Sequence, residues 1–417
     1  MPKVLIGAAL AVLALCAEGL AELRPSAGEN YEITEQRLGP IHDRVRGSAF
    51  SKDGCHVAYV TTRGGKQFVV VDGEAGSEYD GMAGLIFSPD GRCLAYEAGK
   101  GDRWFVVVDE KPGPEYDGIG ESGPIFSPDG KRVAYAAKRG EKWLVVLDGE
   151  VGPEYDGIGE GHPVFSPDGK RVGYGARKGG KWVVVVDGQA SPEYDRIGES
   201  GLIFSPDGKR VAYKAKKGEK SLVVVDGEAG PEYDGMAGLV FSPDGKRVAY
   251  AAWKGDRWFV VVDGRPGPEY DGIGALIFSP DGRRVAYMAG KGDKRFVVVD
   301  GEPGPEYNAI DGFLFSPDGR RVAYAARKGY KWFVVLDGAP GPEYDGIAGL
   351  IFSPDGRRVA YDAQKGDKRV VVVDGRPGPE YDGIIPNGPA FHADGVLEYL
   401  AHREKTLYRV KHVPEGG

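Results

Sequence analysis

The chain has 417 residues, a formal net charge of −8 and a hydrophobic content of 41%. This length allows two or three ordinary domains or one large repeat domain, and the hydrophobic fraction is sufficient for a buried core. The acidic balance argues against a protein that mainly binds nucleic acid. No apolar stretch after residue 25 is long enough to span a bilayer, so we expect no transmembrane segment.

The N-terminus has the pattern of a secretory signal peptide. Lys3 supplies a positive charge, residues 4–15 form an apolar run, and Gly19 and Ala21 are the small residues before a cleavage site ahead of Glu22. The sequence therefore predicts a cleaved leader and a periplasmic or secreted protein.

The chain has three cysteines. Cys16 leaves a lipoprotein anchor open as a minor alternative, although the bulky Leu15 stands where lipoprotein signals carry a small residue. Cys55 and Cys93 lie in adjacent repeats and out of register by one position. Export permits a disulfide between them, but the spacing of adjacent repeats is wide for its geometry, so we expect both to be unpaired.

A ten-residue phrase recurs along the rest of the chain. The phenylalanines that open its copies are 37 or 39 positions apart, which indicates one supersecondary unit per repeat. We therefore divide the chain into a signal peptide (1–21), an N-terminal segment (22–38) and ten repeats (39–413). FSPDGKRVAY or FSPDGRRVAY stands at 126–135, 204–213, 241–250, 278–287, 315–324 and 352–361, with looser copies at 50–59, 87–96, 165–174 and 391–399.

The repeat 241–278 predicts four strands and no helix. LVFSP, KRVAYAA and WFVVV are β-rich runs, SPDG and DGRPGP are turns, and EYDGI is a short polar strand. The run WFVVV is apolar throughout and therefore needs burial on both faces, as in a sheet packed between neighbouring sheets. We predict an all-β β-propeller of ten four-stranded antiparallel blades. Two smaller rings are the alternative.

The two ends of the repeat array predict how the propeller closes. Residues 39–50 align without gaps on 341–352, which makes Ile41–Val45 an outer strand without its own blade. The last repeat has three strands and no fourth. We therefore expect Ile41–Val45 to complete the last blade and remove the exposed edges.

The SPDG turns and the V-A-Y strands that follow them resemble the TolB-like Ser-Pro-Asp-Gly propeller repeats, which are relatives of the WD-repeat propellers. The resemblance covers residues 39–413, although Lys52 replaces Pro in the first copy and His392-Ala393 replaces Ser-Pro in the last. It implies a propeller fold, an envelope setting and contacts with a protein partner.

The repeated phrase does not indicate catalysis. A catalytic site needs one unique set of residues, whereas these Ser, Asp and basic residues recur in every repeat. The aspartates lack the spacing of a calcium loop, and the glycine-rich stretches precede strands rather than helices. We therefore expect no enzyme activity and no cofactor, with a propeller lyase or hydrolase as the weakest alternative.

Two groups of residues deviate from simple repetition. Histidines cluster in the terminal repeats, so a metal site at His42, His392 and His412 is a weak alternative to simple drift of the end repeats. Five tryptophans occupy one repeat position, each after Lys or Arg. They predict either aromatic packing between blades or a platform for a glycan or another anionic polymer. These are Trp104, Trp143, Trp182, Trp258 and Trp332.

The segment before the phrase is two residues longer before Phe391 and in three consecutive repeats. It carries Glu121, Glu160 and Glu199 at one equivalent position, with His162 nearby. We expect these loops to form an acidic crescent on a face otherwise rich in Lys and Arg, with Asp and Glu on the opposite face. The sequence therefore favours a non-catalytic scaffold that binds a protein partner, and a lectin-like module is the alternative. The basic candidates for the partner site are Lys138, Arg139, Arg177 and Lys178.

Overall fold

The computed structural model describes residues 44–159, 162–385 and 388–413. Within them every regular element is a β-strand, and hydrogen bonds group the strands into ten antiparallel sheets. This confirms the predicted all-β, β-propeller fold with ten blades. The chain divides into two compact units, residues 1–217 and 218–417. One ten-bladed ring and two smaller rings therefore both remain predictions.

The strands recur in a fixed order, and we number blades and strands along the chain. The first strands are Val45–Phe50, Gly81–Phe87, Gly118–Ile119 with Ile125–Phe126, Gly157–Ile158 with Val164–Phe165, Arg196–Phe204, Gly235–Phe241, Gly272–Phe278, Ala309–Phe315, Gly346–Phe352, and Gly383–Ile384 with Ala390–Phe391. The second strands are Val57–Arg63, Leu94–Lys100, Val133–Arg139, Val172–Lys178, Val211–Lys217, Val248–Lys254, Val285–Lys291, Val322–Lys328, Val359–Lys365 and Leu397–Arg403.

The third and fourth strands complete each blade. The third strands are Lys66–Val71, Arg103–Val108, Lys142–Leu147, Lys181–Val186, Lys220–Val225, Arg257–Val262, Lys294–Val299, Lys331–Leu336, Lys368–Val373 and Thr406–His412. The fourth strands are Glu74–Tyr79, Lys111–Pro112, Glu150–Val151, Gln189–Ala190, Glu228–Ala229, Arg265–Pro266, Glu302–Pro303, Ala339–Pro340 and Arg376–Tyr381.

The last blade has no fourth strand among the described residues, as the sequence predicts. The proposed closing strand lies mostly outside those residues, so its pairing remains a prediction. Val45, its one residue within an assigned strand, pairs with Thr61 in the first blade.

The fourth strand differs from its predicted position. In blade 6 it is Arg265–Pro266, extended by a single bridge between Tyr270 and Trp258. The Gly-Ile of EYDGI already belongs to the next blade, where Gly272 pairs with Gly290. The polar EYDGI run is therefore a crossing between blades and not one outer strand.

Turn chemistry determines the two hairpins of each blade. Asp263 and Gly264 both have positive φ angles, 51° and 78°, as a two-residue Asp-Gly hairpin of type I′ requires. The other hairpin begins with a glycine at positive φ, such as Gly255 at 58°. Among residues with a β-carbon, Asp and Asn adopt these angles most readily and others rarely do, which explains the repeated Asp-Gly pairs and glycines.

The core lies between neighbouring blades. In one seam of the first unit, Leu94, Tyr96 and Phe105 of blade 2 pack against Ala58 and Val60 of blade 1. Tyr96 is 1% exposed and Ala58 is fully buried. Each fully buried Leu or Phe side chain stabilises the fold by about 1.5–3 kcal/mol. Because both sheet faces meet a neighbour, the second and third strands are apolar on both faces.

Candidate functional site

The SPDG turn is a structural unit. Ser127 is buried, its hydroxyl donates to Asp129 Oδ1 at 2.6 Å, and it accepts from the Arg132 amide at 3.0 Å. The Gly130 amide closes the turn on the Ser127 carbonyl at 2.8 Å. A β-carbon on Gly130 would lie 2.7 Å from Asp90 Oδ1 of the preceding blade. The serine, aspartate and glycine are therefore all occupied by the turn and its seam.

The second basic residue after the turn is also structural. Arg132 Nε donates to Asp148 at 2.8 Å, and its Nη1 donates to the Lys170 carbonyl of the next blade at 2.7 Å. Its guanidinium lies 5.9 Å from the centre of the Phe165 ring in that blade. Arg132 therefore joins two neighbouring blades.

Acidic and basic side chains are not segregated as the sequence predicted. Lys142 pairs with Asp156, and Asp156 Oδ2 accepts from the Gly179 amide of the next blade at 2.7 Å. Arg139 lies 3.6 Å from Glu154. The EYDGI run that crosses between blades therefore brings the acidic groups to the end of the blade that carries the basic hairpins. We call the Lys142–Asp156–Gly179 arrangement and its equivalents the seam clamp.

The predicted acidic loops interrupt the first strand. In blade 3 that strand is split into Gly118–Ile119 and Ile125–Phe126, and the loop between them turns through a bond from the Gly123 amide to the Gly120 carbonyl of 2.9 Å. Glu121 is exposed in this loop. The insertion therefore lies inside the first strand and not between the fourth strand and the next first strand.

The other residues of the predicted acidic loops are Glu160, Glu199 and His162. Glu160 lies outside the described residues. Glu199 falls in the strand Arg196–Phe204, whose register with Val211–Lys217 shifts between Ile197 and Leu202. His162 is exposed, and its Nδ1 lies 3.1 Å from the Pro163 carbonyl.

The four basic candidates lie at the hairpin ends of blades 3 and 4. Arg139, Arg177 and Lys178 are exposed, and Lys138 is half-buried. The Arg139 guanidinium lies 5.6 Å from the centre of the Tyr116 ring. Glu154 and Tyr116 thus already hold Arg139, which leaves Lys178 as the more available cation.

The five tryptophans are half-buried at the start of their third strands. Trp104 covers Gly81 and Gly99 of its own blade, where an added β-carbon would lie 3.1 and 3.3 Å from the indole. The Trp258 ring lies against the Trp253 ring at an angle of 34°, with ring centres 4.4 Å apart. These contacts occupy one ring face and support packing, while the predicted glycan platform remains a prediction.

The histidines of the weak metal alternative have separate partners. His392 Nε2 lies 3.4 Å from Glu398, and His412 Nε2 lies 3.3 Å from the Tyr399 hydroxyl. Burial lowers the pKa of His412. His42 lies outside the described residues, and within those residues no group of three or more His, Cys, Asp or Glu is placed to hold a metal.

The cysteines outside the predicted leader are Cys55 and Cys93. Cys93 is a free thiol, and burial together with Asp109 raises its pKa to about 11. Cys55 is half-buried, and it does not bond to Cys93, which is free.

One variable position was missed by sequence reasoning. The residue after V-A-Y or its equivalent is alanine in three blades, as at Ala136 and Ala325, and acidic in two others. Asp362 receives three hydrogen bonds of 2.7 to 3.0 Å from Arg369. Glu97 is half-buried, has no ion pair in the described part of the chain, and burial raises its pKa. The signal was visible as an acid at a position where most blades have an uncharged residue.

Comparison with known proteins leaves the family open. No family model and no curated protein matches the chain. Among solved structures, a eukaryotic initiation factor is 12% identical with a TM-score of 0.36, over 78% of this chain and 96% of that one. TolB from Acinetobacter baumannii is 19% identical with a TM-score of 0.26, over 54% of this chain and 63% of that one.

A third solved structure is the β-propeller domain of the Trilobed protease from Pyrococcus furiosus. It is 17% identical with a TM-score of 0.28, over 63% of this chain and 98% of that domain. Similarities this distant do not identify a family. In the described part of the chain, no helix is long and apolar enough to cross a membrane.

Proposed function

We propose that this chain is an exported, non-catalytic β-propeller scaffold that binds a protein partner. The interrupted first strand of blade 3 carries this proposal, because it exposes Glu121 and Ser122 on an insertion that most blades lack. A repetitive fold gains a directional contact only where the repetition is broken, and loops on a rigid scaffold commonly carry binding residues.

The fate of the repeated polar residues supports a binding role over catalysis. The serine and aspartate of the SPDG phrase hold its turn, and the arginine that follows pairs with an aspartate at the seam between blades. Most of the Lys and Arg residues that begin the third strands pair with an aspartate in a seam clamp. Residues committed to structure in nearly every blade are poor candidates for a unique reaction centre.

Capture of a partner from bacterial envelope extract tests the proposal. The tagged full chain should retain a protein, and the triple variant Glu121→Lys, Glu160→Lys and Glu199→Lys should bind that protein at least tenfold more weakly, about 1.4 kcal/mol. A matched control makes the same charge change at the exposed residues Glu141, Glu150 and Glu219, and should retain full affinity. Equal affinity of the triple variant and the parent contradicts the proposed site.

Export is tested separately. Expression of the full chain in a bacterial host, followed by fractionation and N-terminal sequencing, should yield a periplasmic or secreted protein that begins at Glu22. A chain that stays in the cytoplasm with its first 21 residues intact contradicts export.

A further inference from the structure

A cavity lies in the seam between blades 6 and 7, within the second unit. Its volume is about 710 Å³, within the range of pockets that hold small ligands or peptide side chains. Val260 and Val285 form part of an apolar floor, and Arg265 and Arg283 lie at its edges. The cavity thus combines an apolar base with basic groups, and we call it the Arg265 groove.

The charges in the Arg265 groove do not cancel. Arg247 pairs with Asp263 at 2.9 Å, and Arg284 pairs with Asp300 at 2.9 Å, so both lining aspartates are already neutralised. Arg265 is exposed and makes no ion pair within the described residues.

The second basic group of the groove is also available. The side chain of Arg283 is 86% exposed, and its one ion pair in the described region is a 3.9 Å contact with Asp281. Two guanidinium groups therefore remain free to bind a carboxylate in the forked geometry that Arg favours.

The equivalent cavity between blades 1 and 2 has the opposite character. Its volume is about 610 Å³, and Glu74 takes the place of Arg265 while Glu110 takes the place of Gly301. Glu also stands at the Arg265 position in three other blades. Arginine at both positions is thus particular to this seam, whereas the seam between blades 2 and 3 has Lys111 and Lys131 there.

We infer that the Arg265 groove binds an acidic peptide segment of the protein partner, in which a carboxylate lies next to an apolar side chain. This inference rests on the proposed function. The free guanidinium groups of Arg265 and Arg283 receive the carboxylate, and an aliphatic side chain packs on Val260 and Val285. The two contacts together exclude a basic or fully polar segment.

A sugar acid fits the groove less well than a peptide. Carbohydrate recognition by stacking needs an exposed aromatic face, and Trp258 stands four residues before Val262 in the third strand. At about 3.3 Å per residue this places it roughly 7 Å from Val260 and roughly 13 Å from Val262 along the strand. The floor consists of valine side chains and of Tyr287, which is 2% exposed and therefore offers no open ring face to a sugar.

Fluorescence anisotropy on the full chain tests the inference. The probe is a fluorescein-labelled peptide of alternating Glu and Leu, and the control peptide carries Gln in place of Glu. Arg265→Glu and Arg283→Glu should each weaken binding of the acidic peptide at least tenfold. The matched control is Arg376→Glu, because DGRPGPEY recurs around Arg376 but Val396 replaces the second arginine there.

The outcomes separate cleanly. Two results support the groove. Arg376→Glu should bind the acidic peptide as tightly as the parent, and binding to the parent should weaken as added salt shortens the Debye length to about 8 Å. Equal binding by all variants, or no binding, overturns it. Binding of a galacturonate oligomer in place of the peptide overturns the peptide assignment. Partner capture that depends on Glu121 would survive either failure, so the scaffold proposal is tested independently.

Discussion

Single residues in the turns show where the repeat tolerates deviation. Nearly every third-to-fourth-strand hairpin has Asp followed by Gly, but blade 2 has Asp109 and Glu110, with φ angles of 46° and 62°. A residue with a β-carbon in this left-handed region costs roughly 1–2 kcal/mol. Blade 2 therefore retains a strained turn that its neighbours relieve with glycine.

Replacing Glu110 with Gly should stabilise the protein by about 1 kcal/mol, because it removes this strain and loses part of the gain to chain entropy. The reverse change Gly149→Glu, at the equivalent position of blade 3 where φ is 85° and no atom lies near an added β-carbon, should destabilise by a similar amount. Urea unfolding measures both. A stability unchanged in Gly149→Glu would contradict the strain account.

At the scale of strands, the same two positions on the second and third strands are filled in different ways. Blade 9 has Asp362 and Arg369, whereas blade 8 has Ala325 and Trp332 at the equivalent places. Asp362 is 7% exposed, and Arg369 holds both of its carboxylate oxygens. A buried carboxylate without its partner is strongly destabilising, whereas an apolar replacement of the whole pair is often neutral.

The variant Arg369→Ala should therefore lose about 3 kcal/mol of unfolding free energy. The double variant Asp362→Ala with Arg369→Trp, which copies blade 8, should return to within about 1 kcal/mol of the parent. Urea midpoints measured at a constant denaturant slope give both values. If the double variant is as unstable as Arg369→Ala, the loss does not come from the unpaired carboxylate.

Features set by local sequence could be predicted, and features set by contacts between repeats could not. The period of the phrase, the SPDG turn and the apolar third strand could be predicted, because hydrophobic pattern and turn residues act locally. The crossing of the EYDGI run between blades could not be predicted, because Asp156 is held by the Gly179 amide of another blade. The Arg265 groove escaped for a similar reason, since it needs two arginines from different repeats.

At the scale of the whole molecule, one small interaction is repeated along the chain. In nine SPDG-type turns, the serine hydroxyl hydrogen bond is the main cause that lowers the pKa of the aspartate below its usual value. The nine are Asp53, Asp90, Asp129, Asp168, Asp207, Asp244, Asp281, Asp318 and Asp355. Their titrations therefore act together on stability.

Because the folded pKa lies below the unfolded value of about 3.9, these aspartates stabilise the fold above that pH and lose this contribution as pH falls through their folded values. The urea midpoint should stay nearly constant from pH 7 to 5 and fall steadily below about pH 4. In Ser242→Ala, carboxyl NMR should show the pKa of Asp244 moving up towards its usual value. A urea midpoint that increases as the pH is lowered from 5 to 3 would be incompatible with this linkage.

The seam clamp has a consequence for how such a chain can change in length. Its side chains come from one repeat, while the next repeat contributes only a backbone amide. Asn308 therefore bonds the Gly329 amide at 2.9 Å without a carboxylate, and Asp382 reaches the amide of Glu404 where other blades have glycine. A backbone N–H donor, which every residue except proline possesses, places almost no demand on the identity of the neighbour. Repeats joined in this way are interchangeable parts, so gene duplication can insert or remove one without redesigning the contact on either side.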